Sequence, residues 1–299
     1  MKIKFNKKNK IVVTGGAGFI GTNLCKKLIE LNQDVISIDD YSTGKKENHI
    51  KGVKYIEDDC KNINKLIGIP DLVFHLGEYS KVSPSFNDVN KILDTNMYST
   101  SKVIEYCKNN KIKLIYAGSS TKYATDGSNE SPYAFSKSKN TELIKNYGKW
   151  FGLEYSICYF YNNYGPYHDT CNDGWETVIS IFEKQKRNKQ PLTIVEPGTQ
   201  RRNFTYVGDT VEGLIASSLC IENNEYQLSS EESYNMFELA ELFSHEYKMV
   251  PSRPGDRFES LIDFRETYKK LNWRPKVKLK NWIKNNKNEK NSIFYRNNI

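Results

Sequence analysis

The chain has 299 residues, 38% of them hydrophobic and 13% aromatic, with a mean hydropathy of −0.67. That length allows one large α/β unit or two unequal domains sharing an interface. Its 44 Lys and Arg against 36 Asp and Glu give a formal +8. The lysines are scattered, with one denser run near the C-terminus (KVKLKNWIKNNKNEK), so the charge reads as solvated surface and not as a nucleic-acid face.

Short apolar runs then alternate with helical patterns along the chain. IVVT at 11–14 is the first predicted strand. It is near-continuous in apolar character, as a parallel strand covered on both faces should be. NLCKKLIELN follows as a helix with Leu24, Leu28 and Leu31 on one face. VISID at 35–39 is a second strand, and a third ends shortly before Asp59. LVFHL at 72–76 precedes a helix that places Met97, Thr100, Ile104 and Cys107 together. KLIYA at 113–117 and YSICYF at 155–160 enclose a helix with Leu143, Ile144 and Tyr147 inward. This alternation predicts an α/β fold built on a doubly wound parallel sheet. After Gly165-Pro166 the pattern loosens. We therefore expect a first domain over 1–168 and a smaller C-terminal α/β substrate domain over 169–299, with roughly 204–220 packing back on the first.

Cys25, Cys60, Cys107, Cys158, Cys171 and Cys220 form no C-x-x-C pair, which removes support for zinc or thioredoxin readings, and no metal site is expected. They read as reduced thiols. The N-terminal MKIKFNKKNK has no apolar signal-peptide core, and no run approaches the roughly eighteen apolar residues of a membrane span. A cytoplasmic location without membrane contact is the expectation.

VVTGGAGFIG at 12–21 opens the first βα unit with Gly15, Gly18 and Gly21 at G-x-x-G-x-x-G spacing. Gly15 can take the tight turn, Gly18 lets a pyrophosphate approach the backbone, and Gly21 lets the helix pack close to the strand. The helix N-terminus then faces the phosphates. Asp39, at the end of the second strand, is placed to bind both hydroxyls of an adenine ribose and to repel a 2′-phosphate. The cofactor expected is NAD. Asp59 lies after the third strand, where it either faces adenine or caps its own loop.

From here the chain resembles the extended short-chain dehydrogenase/reductase family, the nucleotide-sugar epimerases and dehydratases, over nearly its whole length. TGGAGFIG is close to that family's cofactor loop, which implies contacts from Phe19 and Ile20 besides the glycines. IDDYSTG at 38–44 resembles its second-strand exit and implies Asp40, Ser42, Thr43 and Gly44, with Cys60 beside Asp59. HLGEYSKVSPS at 75–85 is similar to its HLAA segment and implies Leu76, Gly77 and Ser80. In this segment Gly77-Glu78 stands where two small residues are usual. TNMYST puts Asn96 where the family has an Asn supporting the nicotinamide region. The resemblance implies a Rossmann-type first domain and a homodimer formed through helices at roughly 89–109 and 134–150.

SPYAFSK supplies the family's Tyr-x-x-x-Lys. The resemblance implies Tyr133 as catalytic acid/base, Lys137 as the cation that favours its phenolate and holds the cofactor ribose, and Ser119 as the donor to the reacting oxygen. The physics agrees, because a free tyrosine ionises only near pH 10 and needs a neighbouring cation to act as a base at neutral pH. Residues four apart on a helix share a face. YFYNNYGP implies Asn162 at the substrate. GTQRRNFTYVGD and RPGD imply Arg202 and Arg253 on the nucleotide diphosphate, with Arg201 and Arg257 as competitors, and Asp256 at the substrate. Thr177 and Val178 line the nucleotide by position, and Ser120 and Thr121 flank Ser119.

Dehydratases and decarboxylases of the family need a carboxylate after the active Ser/Thr, where this chain has Ser120 and Thr121. The first expectation is therefore a nucleotide-sugar 4-epimerase working through a 4-keto sugar. A 4-dehydrogenase or 4-keto-reductase is the alternative, since GSSTKYA also resembles GDP-fucose synthases, which use a His after YGP, and His168 stands near there. An idle NAD-binding regulator is the non-enzyme alternative. Glu78 departs from the family and is a candidate substrate contact or replacement acid.

Overall fold

Strands covered on both faces must be apolar at nearly every position, and the runs picked out by that criterion all enter one sheet. In the computed structural model, which describes residues 5–123, 131–168, 176–243, 246–252 and 263–288, the strands are β1 (Lys10–Thr14), β2 (Asp34–Asp39), β3 (Lys54–Glu57), β4 (Leu72–His75), β5 (Lys113–Ser119), β6 (Tyr155–Phe160) and β7 (Asn224–Leu228). They pair in the order β7-β6-β5-β4-β1-β2-β3, all parallel. This is a doubly wound Rossmann-type sheet. Its order reverses between β1 and β4, where the chain leaves β1 toward one edge and later returns for the other.

Helices cover both faces. On one, Leu24 and Leu28 of α1 (Phe19–Glu30) are fully buried with Cys25. On the other, Val103, Ile104 and Cys107 of α2 (Thr100–Asn109) and Ile144 of α3 (Pro132–Phe151) close over Val12, Val73 and Leu114. Each such Leu or Ile contributes about 1.5–3 kcal/mol by leaving water. The helix leading into α2 takes π geometry over Leu93–Ser99, which carries Asn96 inward.

The C-terminal half does two things. α4 (Val178–Arg187), α6 (Met236–Phe243) and α8 (Leu279–Asn288) bury Ile179, Phe182, Leu239, Phe243 and Leu279 in a third core around a parallel pair, Leu192–Val195 with Tyr247–Val250. The remainder returns to the sheet. α5 (Val207–Ser218) places Val211, Leu214 and Ile215 beside α1. The return also extends further, because β7 adds the seventh strand and α7 (Phe264–Leu271) brings Tyr268 and Leu271 into the same core.

α3 shows how the sequence aims a helix. Ser131 caps its start by accepting from the Ala134 N–H at 3.0 Å, Pro132 occupies the first turn, and Gly152 ends it at φ 70°. Tyr133 and Lys137 thus leave the first two turns, at the edge where the parallel strands end.

Gly21 lies so close to the turn that an added Cβ would sit 2.0 Å from the Gly15 carbonyl oxygen, whereas a Cβ at Gly152 would meet nothing within 4 Å. Gly21→Ala is expected to destabilise by about 1–3 kcal/mol through overpacking. Gly152→Ala is expected to cost about 1 kcal/mol, from its left-handed backbone alone. Urea unfolding of both variants without cofactor should rank them in that order.

Candidate active site

A cavity of about 310 Å³ opens along the C-terminal ends of β1, β2, β4, β5 and β6. One half is shaped for a dinucleotide. Gly15 adopts φ 72°, and a Cβ there would collide with the Gly77 backbone at 2.8 Å. A Cβ on Gly18 would meet only the Gly15 oxygen, at 3.4 Å, so the space beside it is open to the cavity. The N-terminus of α1 starts at that point, with its first N–H groups available to an anion. Phe19, Ile20 and Gly21 line the same wall.

Asp39 is buried at the end of β2. Its two oxygens accept from the Ala17 and Tyr41 N–H groups at 2.8 and 2.9 Å. Burial raises its carboxyl above the ordinary value, against the pull of those two bonds. Asp40 accepts from the Ser42 N–H and hydroxyl at 2.9 and 2.7 Å, shaping the turn that brings Ser42 and Thr43 to the wall. Gly44 packs on Ala17 behind that wall. Asp59 accepts from the Lys61 N–H at 2.8 Å as a cap and also lines the cavity. Burial alone would raise its carboxyl, but its bonds to Lys61 and Ser99 outweigh this and lower it. Cys60, Leu76, Gly77 and Ser80 complete this half. Asn96 is fully buried behind it, accepting from the Tyr79 N–H at 2.7 Å and donating to the Tyr79 carbonyl at 3.0 Å. It therefore fixes the loop that carries Ser80. These residues fit a dinucleotide.

Ser119, Tyr133 and Lys137 line the other half. The Ser119 Oγ accepts from the Thr121 hydroxyl at 3.1 Å and from its N–H at 3.3 Å. That leaves the serine's own proton for an oxygen in the cavity. Thr121 thus orients Ser119 from behind, and Ser120 does not reach the wall. The Tyr133 side chain opens to the cavity, while its backbone N–H donates to Ser85 Oγ at 3.4 Å and its carbonyl accepts from the Ser136 hydroxyl at 2.8 Å.

Lys137 has an unexpected partner. Its ammonium pairs with Glu78, donates to the Ala117 carbonyl and lies 4.4 Å from the Tyr116 ring centroid. Glu78 Oε1 also accepts from the Thr100 hydroxyl (2.9 Å), the Tyr116 hydroxyl (3.0 Å) and Asn140 Nδ2 (2.8 Å). The chain continues: Thr100 Oγ1 lies 2.8 Å from His75 Nε2, and His75 Nδ1 lies 2.7 Å from Thr14 Oγ1. Because Thr100 gives its proton to the carboxylate, His75 must donate from Nε2 and accept at Nδ1 from Thr14. Thr14 in turn accepts from the Leu76 and Gly77 N–H groups at 3.1 and 3.0 Å. The only sequence signal of this network was Glu78 standing where a small residue is usual. His75, Thr100, Tyr116 and Asn140 gave none.

The substrate side is less complete. Thr177 lines the cavity and caps α4, accepting from the Ser180 N–H at 3.2 Å, with Val178 as the first helical residue. Asn162 is exposed at φ 34° and donates to the Asn203 carbonyl, and the neighbouring Asn163 lines the cavity instead. Arg202 is half-buried outside the cavity wall, its guanidinium donating to the Arg201 carbonyl at 2.9 Å. Arg201 is engaged with Glu238 at 3.0 Å and with Ser233. Arg253, Asp256 and Arg257 lie outside the described residues. His168 is buried, 2.9 Å from Glu183 and packed on Trp282, away from the wall. Lys81, missed in the sequence, lines the cavity and donates to the Glu176 carbonyl at 2.7 Å. Among the described residues no cluster of His, Cys, Asp and Glu could hold a metal, and no helix is long and apolar enough to cross a membrane.

A family model described as the NAD dependent epimerase/dehydratase family matches residues 11–231. A Methanocaldococcus jannaschii protein with a provisional UDP-glucose 4-epimerase name is 30% identical over 306 residues, covering 92% of this chain and 99% of that protein. UDP-glucuronic acid decarboxylase 1 of Arabidopsis thaliana is 31% identical over 304 residues, covering 92% of this chain and 68% of that protein. Among solved structures, the UDP-glucose 4-epimerase of Thermotoga maritima with UDP-glucose is similar, with a TM-score of 0.84 at 27% identity, covering 92% of this chain and 96% of that one.

Burial lowers His75 to about 4. A group whose folded value lies below its unfolded value stabilises the protein above the unfolded value and loses that contribution as pH falls. Between an unfolded value of about 6.5 and pH 4, His75 alone should remove about 3 kcal/mol of stability. Urea titrations at stepped pH should show that decline, and His75→Gln should flatten it.

Proposed function

Because the chain belongs to the NAD-dependent epimerase/dehydratase family, we propose that it is a nucleotide-sugar 4-epimerase working through a transient 4-keto sugar. The observation that carries this reading is that Ser119, Tyr133 and Lys137 share one cavity with the glycine turn and Asp39. Bound NAD supplies the acceptor and later the donor of the C4 hydride. The chain's own residues handle the proton. Tyr133 accepts it from the C4 hydroxyl and returns it to the C4 oxygen after the keto intermediate has turned its other face to the site. Ser119 donates to the C4 oxygen throughout. Lys137 supplies the positive charge that makes the tyrosine a base at neutral pH.

The same site argues against chemistry at C5. Ser120 and Thr121 hold the positions where a carboxylate would be needed. Glu78 lines the cavity, but its carboxylate is occupied by Lys137 and three further donors and does not serve as a base. A decarboxylase reading therefore gains nothing from the plant relative beyond the shared framework. The 4-dehydrogenase or 4-keto-reductase alternative loses its histidine, since His168 is bonded to Glu183. A complete Ser/Tyr/Lys set argues against an idle NAD-binding regulator.

Asp39 supports NAD over NADP, because its buried carboxylate would face a 2′-phosphate. Arg202 is the candidate for the nucleotide diphosphate, joined by Arg253, and Asp256 is a further candidate substrate contact. Val89, Leu93, Tyr98, Phe135, Trp150 and Phe151 expose apolar surface on the helices assigned to a homodimer. Among the described residues, four buried free thiols and a half-buried Cys220 support a reducing, cytoplasmic setting.

Tyr133→Phe is expected to lower turnover by at least about a hundredfold, the lower end for general acid–base catalysis, while leaving fold and NAD binding intact. The measurement is epimerisation across UDP-, GDP- and dTDP-sugars with absorbance followed at the NADH band. Stoichiometric NADH change in the wild type would sink the epimerase reading in favour of a net redox reaction. Arg202→Ala should raise KM roughly tenfold or more with kcat little changed, as expected for a phosphate contact equal in ground and transition states.

A further inference from the structure

We propose that Glu78 is a positioning residue that shares Lys137 with Tyr133 and thereby raises the pH at which Tyr133 can accept a proton. The inference rests on Tyr133 as the acid/base of the proposed reaction.

The geometry is one cation among two acids. Lys137 and Glu78 are both almost fully buried, their side chains 6% and 3% exposed, and they contact each other directly. Glu78 takes three more donors, from Thr100, Tyr116 and Asn140 on three separate elements. An acceptor-only carboxylate suits that set, and a protonated or amide group does not. Lys137 is thus held by Glu78 and Ala117. When Tyr133 ionises, its phenolate becomes the second anion beside a cation already paired, and like charges around one site oppose each other.

The other groups facing this pair do not offset that competition. His75 on β4 is held neutral, its value lowered to about 4. Burial keeps Tyr116 on β5 and Cys60 beyond β3 protonated. Asp59 stays ionised beside Lys61. Lys81 is bonded to the Glu176 carbonyl, and Lys91 lies over the Tyr79 ring. Asp39, Asp40 and Asp58 stand on the β2–β3 side of the cavity. The Tyr133 environment is therefore set by Lys137, reduced by Glu78, until the positive nicotinamide of a bound oxidised cofactor adds a second cation.

The test compares kcat/KM against pH for wild type, Glu78→Gln and Glu78→Asp. Removing the carboxylate frees the Lys137 charge for Tyr133, so the acid limb of Glu78→Gln should move to lower pH by about one unit. Glu78→Asp, which keeps the charge, should restore the wild-type limb. An unmoved limb with a uniform rate loss, or an upward move, would overturn the proposal. If Glu78→Gln does not fold, Glu78→Ala carries the same expectation.

A second readout needs no turnover. In thermal melts of the cofactor-free protein, Glu78→Gln and Lys137→Met should each lower Tm by several degrees. The double variant should lose clearly less than their sum, because neither charge is then left buried alone. Additive losses would overturn the shared pair. Wild-type turnover in Tyr133→Phe would instead overturn the parent assignment, and the melts would still report on the pair.

Discussion

The molecule is organised around a backbone-on-backbone contact. Gly15 turns out of β1 and touches Gly77 after β4, while Gly21 of α1 lies against the Gly15 carbonyl, with no side chain between any of them. Two consecutive segments and a third that follows β4 can converge to that distance only because each contributes a glycine there. The convergence holds the switch point of the sheet closed on one side and open on the other, and the open side is the cavity. Thr14 secures the same junction by accepting from both Leu76 and Gly77. From there a continuous run of buried hydrogen bonds passes through His75 and Thr100 to Glu78 and Lys137. The glycine turn and Lys137 are therefore two ends of one polar network. Such a network confers rigidity only while each member is satisfied, since an unpaired buried polar group is costly.

What could be read from the sequence followed what burial imposes locally. Strands β1, β2, β4, β5 and β6 were legible because both faces are covered and every position must be apolar. Tyr133 and Lys137 were legible because one capped helix carries both. β7 was not, since NEYQL looks like surface. As an edge strand it turns Tyr226 and Leu228 inward and leaves Glu225 to Lys122, Lys145 and the Tyr159 hydroxyl. The polar positions are satisfied by partners some 65 to 105 residues distant in sequence, which no local pattern reveals. The Glu78 network escaped for the same reason, as its donors come from β5, α2 and α3. The exchange of Asn163 for Asn162 at the cavity wall has a different cause. The positive φ at Asn162 breaks the alternation by which consecutive strand residues face opposite sides.

The polar occupant of the last sheet position also constrains the order in which the chain can be built. β6 ends at Phe160, and the strand that covers its outer edge begins only at Asn224. At about 5–20 residues per second on the ribosome, the free edge of β6 stays open for roughly three to thirteen seconds after it emerges. During that interval Ile157, Cys158 and Tyr159, fully buried in the finished protein, belong to an unpaired β-rich segment of the kind that invites pairing between chains. The intervening sequence includes α5, whose apolar face packs against the same core. Its arrival ahead of β7 would shelter one face of the sheet before the edge itself is closed. The nascent protein would then be most vulnerable to self-association while α4 and the strand at Leu192–Val195 are still being made, although those elements take no part in closing the sheet.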